Sequence, residues 1–164
     1  MTEMTKNQTT IEADPDLPVI RIVREFDATP EKVFRAWTDP ELFVRWVGPR
    51  SIDTTIEEWD ARTGGHYRYT ASRAADDFSM GFYGSFHEVR PNERIVQTFS
   101  FDGEPDGVSL ETLTIEPLDG GRCRTTGVSV VESLEIRDAI LSSGMDVGVN
   151  EGYEKLDELL ASGG

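Results

Sequence analysis

Residues 144–160, GMDVGVNEGYEKLDELL, decide how this chain folds. Met145, Val149, Gly152/Tyr153, Leu156 and Leu159/Leu160 return at steps of three and four, while Asp146, Asn150, Glu151, Glu154, Asp157 and Glu158 fall mostly elsewhere. That is the period of a helix laid with one face on an apolar surface. Glycine at 144, 148 and 152 sits oddly in it. Gly144 suits a start or a kink, but Gly148 and Gly152 lie inside the pattern, one turn apart. Each costs about 1 kcal/mol relative to alanine in a helix interior. Two arrangements would offset that cost. Either the helix backbone approaches a sheet closely, or the missing side chains leave room for a ligand.

Upstream of this helix the period changes to two. Ile52, Thr54 and Ile56 alternate along a strand that ends near Trp59-Asp60, and Thr63-Gly64-Gly65 turns into another with Tyr67 and Tyr69 on one face. Phe78, Met80, Phe82, Gly84 and Phe86 then share one face of the clearest strand. Arg90-Pro91-Asn92 leads into a strand with Ile95, Gln97, Phe99 and Phe101. The next runs from Val108 to Ile115, and Asp119-Gly120-Gly121 is a hairpin signal before a strand from Arg122 to Val131. Glu132-Ser133 caps a short helix over 134–141.

Nearer the N-terminus, Leu17 to Phe26 reads as a strand, and two helices follow it. Thr29-Pro30-Glu31 starts one and Asp39-Pro40-Glu41 the other, with Gly48-Pro49 as the stop. Residues 1–16 carry no period and are expected to be a mobile tail before one domain spanning 17–162. Consecutive strands joined by short turns form an antiparallel sheet, and helices gathered on one face make the class α+β. A bent sheet closing around one long helix leaves a pocket between them.

Composition narrows the functional classes. The chain has 164 residues, enough for one domain with a real core, and a formal net charge of −15. Such a surface repels phosphate backbones and anionic lipid, so neither nucleic acid nor membrane is an expected partner. No run of eighteen apolar residues is present, and the polar N-terminal stretch does not read as a secretory signal; a cytoplasmic location is the expectation. Cys123 is the single cysteine and reads as a structural thiol. His66 and His87 fall in the polar phase of their strands, outside metal-ligand spacing, so no metal and no cofactor is expected. No nucleophile-elbow or phosphate-loop motif occurs, and no acid–base pair is positioned by spacing.

Glu111 is the polar residue that stands out. It shares a phase with Leu113 and Ile115, which look inward, and an inward carboxylate needs a partner, water, or a raised pKa. It either meets an arginine or tyrosine across the sheet, or it faces a pocket and holds the polar group of a ligand. Gln97 is a similar intruder between Ile95 and Phe99. The aromatic set of Phe82, Phe86, Tyr67, Tyr69, Phe99 and Trp46 either lines a cavity or fills a core.

Six segments together resemble a known family. Residues 26–31 (FDATPE), 33–41 (VFRAWTDPE) and 46–49 (WVGP) resemble the N-terminal signature of START-like (SRPBCC, helix-grip) proteins. Residues 60–65 (DARTGG), 88–96 (EVRPNERIV) and 152–157 (GYEKLD) are similar to its middle and last helix. The subgroup is the one related to the C-terminal domain of the activator of the heat-shock-ninety chaperone ATPase, although Val47 stands where relatives often carry a second tryptophan. The resemblance implies a helix-grip fold, a curved antiparallel sheet wrapped around the C-terminal helix. It also implies a choice among three roles. The first is non-enzymatic binding of a small hydrophobic or aromatic molecule, with Trp46, Tyr69, Phe82, Phe86, Met145, Val149 and Tyr153 as contacts and Glu111 as polar anchor. The second is a co-chaperone-like domain with a protein partner, and the third a polyketide-cyclase-like enzyme using a pocket carboxylate. A homodimer is a further family expectation.

Overall fold

The computed structural model describes residues 7–163, so the first six residues of the expected tail lie outside it. In chain order the elements are β1 (Thr10–Ala13), β2 (Val19–Phe26), α1 (Pro30–Thr38), α2 (Pro40–Trp46), β3 (Asp53–Trp59) and β4 (His66–Arg73). Then come β5 (Phe78–Arg90), β6 (Arg94–Phe101), β7 (Ser109–Leu118), β8 (Arg122–Val130), α3 (Leu134–Ser142) and α4 (Met145–Ala161). The strands form one antiparallel sheet in the order β1-β2-β8-β7-β6-β5-β4-β3. The class is α+β and the architecture a helix grip, as the alternation and the family signature predict. Register shifts between Ile56 and Glu58 in β3, and between Phe86 and Glu88 in β5, insert an extra residue in each strand. Such bulges bend a strand and increase its twist, which helps to curl the sheet.

Part of the expected tail is an edge strand instead. Thr10–Ala13 pairs with β2 in the register Thr10↔Val23 to Ala13↔Ile20. Four residues are too short a run to carry a strand signal of their own; tertiary ties fix the pairing. The Asp14 carboxylate accepts from the backbone N–H groups of Asp16 and Leu17, both at 2.9 Å, closing a tight turn between the strands. Arg137 of α3, nearly buried, donates to the carbonyls of Asp14 and Leu17 and holds that turn in place.

The helix starts follow their caps. Thr29 accepts from the Lys32 N–H at 3.4 Å, with Pro30 at the first helical position. Asp39 ends α1, its N–H bonding the Arg35 carbonyl, and begins α2 by accepting from the Glu41 N–H at 3.0 Å. One residue thus sets the sharp angle between the two helices. Ser133 caps α3, and Gly144, at φ +89°, makes the left-handed step into α4 that a side chain would resist.

α4 is held at two places. Its glycines approach the C-terminal end of α2 and the loop after it, not the sheet: a Cβ at Gly152 would stand 3.0 Å from the Trp46 carbonyl oxygen and 3.4 Å from the Gly48 nitrogen. Close packing therefore explains Gly152, with a different neighbour from the one expected. At Gly148 the approach is looser, 3.4 Å to the Pro49 Cδ. The second tie runs to β2. Arg24, only 4% exposed, makes two hydrogen bonds to Asp157, at 3.0 and 2.6 Å. Its guanidinium also lies 4.8 Å from the centre of the Phe26 ring. A buried cation is tolerable only when paired and bonded in this way. Between the two ties Phe26 and Leu156 are completely buried, each burial stabilising the fold by about 1.5–3 kcal/mol.

Candidate functional site

Beside this packed region the concave face of the sheet and the first half of α4 enclose a cavity of about 870 Å3. All eight residues singled out from the sequence line it. Tyr69, Phe82, Phe86 and Glu111 rise from β4, β5 and β7, Trp46 closes α2, and Met145, Val149 and Tyr153 come from α4. Its exposed lining residues, Val108, Glu132 and Ser143, belong to the connections β6–β7, β8–α3 and α3–α4, so the cavity opens at that end of the sheet.

The aromatic walls are fixed rather than loose. Trp46 donates its indole N–H to the Ala36 carbonyl at 2.9 Å, and Trp59 donates to the Thr38 carbonyl at 2.7 Å. Phe82 stacks on Phe99 with ring centres 5.3 Å apart, and Trp37 leans on Trp46 at 4.6 Å. Gly84 matters here. A Cβ there would fall 2.0 Å from the Thr98 carbonyl oxygen, and its absence lets the Tyr67 hydroxyl donate to that oxygen at 2.6 Å. Aromatic rings with satisfied polar tips make rigid walls, which lowers the ordering cost of taking up a guest.

Across the floor runs a short polar row. Pairing sets Gln97 of β6 opposite Glu111 of β7, and Glu111 opposite Ser129 of β8. One carboxylate oxygen of Glu111, Oε2, accepts from Ser129 at 2.6 Å and from Ser109 at 2.7 Å. The expected partner was an arginine or tyrosine; two serine hydroxyls serve instead. Oε1 has no protein partner among the described residues and faces the cavity. Burial pushes the Glu111 carboxyl up, while the two serine hydrogen bonds pull against that shift without cancelling it. The side chain is only partly covered by protein atoms, yet it is far from bulk water, because what lies over it is the cavity.

Three tyrosines share that space. Burial raises Tyr67, Tyr69 and Tyr153 above the ordinary phenol range, Tyr153 to about 12, and the Glu111 charge adds to the rise in each. They are neutral hydroxyls at physiological pH. Those of Tyr69 and Tyr153 have no hydrogen-bond partner among the described residues. With Oε1 they leave the cavity able to bond a guest at one end and pack it along the rest. It is equipped to hold and orient. The hydroxyls of Ser109 and Ser129 donate to Glu111, and neither histidine lines the cavity.

Other candidates lie elsewhere. His66 points outward, its Nε2 2.9 Å from Glu58, and His87 is exposed. Cys123 is fully buried, and burial lifts its thiol to about 11. Among the described residues no group of three or more potential metal ligands comes together. None of their helices is long and apolar enough to cross a membrane. Ser109, Ser129 and Arg24 were missed by the sequence reading. Ser129 carried a signal, since counting back from the Gly120–Gly121 turn puts it opposite Glu111.

The pattern of one family, described as Activator of Hsp90 ATPase homolog 1-like protein, matches residues 27–161. A crystal structure of a Chromobacterium violaceum protein is 32% identical at a TM-score of 0.77, covering 87% of this chain and 96% of that one. One from Rhodobacter sphaeroides reaches a TM-score of 0.85 at 26% identity, covering 94% and 99%. A Silicibacter pomeroyi protein, titled AHSA1, shares the fold at 20% identity and a TM-score of 0.72, covering 89% and 99%. No protein of curated function matches the sequence.

Proposed function

The chain belongs to the family of Activator of Hsp90 ATPase homolog 1-like proteins, and on that premise we propose that it binds a small hydrophobic molecule, without catalysis, between sheet and α4. The observation that carries the proposal is the cavity itself. About 870 Å3 of mostly apolar space, with aromatic rings among its walls, is within the range of ligand pockets. A domain that needed only stability would fill it, since each unfilled volume the size of a methyl group costs about 1 kcal/mol. The polar row adds orientation: Glu111, Gln97 and the Tyr69 and Tyr153 hydroxyls gather polar atoms amid apolar walls. The acidic surface and the buried thiol of Cys123 suit a cytoplasmic carrier or sensor.

Native mass spectrometry of the protein purified from its own host tests this reading. A bound small molecule at one per chain is expected, and Val149→Trp, which places a large ring inside the cavity, is expected to abolish it. A chain that arrives empty but joined to another polypeptide, with that union untouched by Val149→Trp, would replace ligand binding with a co-chaperone-like role.

A further inference from the structure

Resting on the ligand-binding reading, we infer that the cavity selects an aromatic molecule whose polar end is a hydrogen-bond donor, a hydroxyl or an ammonium, and that it rejects carboxylates and phosphates. The inference concerns the sign of the site. Among the described residues no lysine, arginine or histidine lines the cavity; its only charged lining groups are Glu111 at the floor and Glu132 at the mouth. A fatty acid or a phosphorylated headgroup would enter with nothing to neutralise it, and at a few ångströms from another carboxylate in a poorly screened space that is severe repulsion.

Two features could have reversed that sign, and neither does. Arg24 lies beneath the Tyr153 ring, 5.8 Å from its centre, but both ends of its guanidinium are bonded to Asp157. The start of α4 borders the cavity through Met145, yet Asp146 already stands in its first turn, where it meets the helix dipole. Tyr69, Tyr153 and Gln97 can each donate or accept, so they add bonds to a guest without setting its charge. Glu111 sets it. Ser109 and Ser129 both donate to Oε2, which turns Oε1 toward the guest as an acceptor. A hydroxyl or ammonium answers that acceptor directly. The rings around it offer π-faces to a flat body, and to a cation as well.

One aromatic body with three polar ends separates the possibilities. Fluorescence titrations of the wild-type protein with 1-pyrenemethanol, 1-pyrenemethylammonium and 1-pyrenecarboxylate at about pH 8, where the raised Glu111 carboxyl is most fully ionised without deprotonating the ammonium, need no variant. The alcohol and the ammonium are expected to bind at least tenfold more tightly than the carboxylate. In Glu111→Gln, checked for native fold by circular dichroism, the carboxylate should gain at least fivefold on the alcohol. A carboxylate that binds the wild type as tightly as the alcohol overturns the inference while leaving ligand binding intact. An unchanged ratio in Glu111→Gln does the same, by removing Glu111 as the cause. If all three fail to bind the folded protein, the cavity does not take aromatic guests of this size, and the ligand-binding reading falls with the inference.

Discussion

The two halves of α4 have the same amphipathic period and opposite surroundings. Beyond Tyr153, the last of its residues in the cavity wall, the apolar stripe is covered: Leu156, Leu159 and Leu160 are buried, and Asp157 is bonded to Arg24. Before it, Met145 and Val149 are half-buried against empty space, and Val147 is 52% exposed. A hydrophobic period reports which face turns inward. It does not report whether protein or a void lies there, and in this helix it means framework in one half and cavity wall in the other.

Truncation breaks that comparison most directly. Leu156→Ala should cost about 2–5 kcal/mol, because its neighbours cannot collapse into the hole. Val149→Ala removes contacts on one side only and should cost less than about 1 kcal/mol. Urea unfolding midpoints of the two variants decide the matter, and equal losses would mean that the first half of the helix is packed too.

A second test sharpens it through pH. The folded pKa of Glu111 is raised, so the stability tied to its protonated form is fully present below the ordinary glutamate value of 4.5 and is lost as pH rises through the raised value. Glu111→Gln should abolish that loss, with a slope difference of up to one proton, about 1.4 kcal/mol per pH unit. Glu25 works in the opposite sense. Hydrogen bonds from Arg124 and then Arg122 lower its pKa, so its contribution is present above 4.5 and is lost as pH falls through the lowered value. Acid unfolding should therefore persist in the variant. Thermal melts of both proteins from about pH 5 to about pH 8 measure the difference; parallel curves would show that Glu111 is not buried from bulk water.

The smallest effects belong to the two interior glycines, and they should differ in sign. Gly148→Ala meets only the Pro49 ring at 3.4 Å, so the helix gains up to about 1 kcal/mol of propensity. At Gly152 the new methyl would press on the Trp46 carbonyl at 3.0 Å, backbone that cannot swing aside, and the net change should be destabilising. Chemical denaturation of the pair reads both. Two stabilised variants would show that α4 rests on α2 less closely than the geometry says.

Much of this was legible in the sequence because the signals are local. Pro30 and Pro40 behind Thr29 and Asp39 mark helix starts within a few residues, and the Gly120–Gly121 turn pins the register of β7 on β8. The same turn arithmetic reaches Ser129, whose short hydroxyl is otherwise unremarkable beside Val128 and Val130. What stayed hidden depends on contacts distant in the chain. The Arg24–Asp157 pair joins residues at opposite ends of the domain, and nothing near Arg24 says that a charged side chain in a strand will be 4% exposed. The strand β1 is likewise hard to see locally, since four residues are a short run and the turn that sets their pairing with β2 is held by Asp14 and Arg137. The eight residues chosen for the site share the cavity because alternation and helical period both report facing. The volume they surround depends on how high α4 stands, which no period encodes.

That height is set by masonry of an unusual kind. α4 spans the sheet like a lintel on two abutments, one where Gly152 sits on the Trp46 carbonyl and one where Asp157 grips Arg24. Neither abutment is made by the residues of the floor. Exchanging Met80, Phe82 or Phe99 therefore reshapes the room without lowering its roof. A lineage built on this plan can change its guest by redecorating one wall, and keep the building.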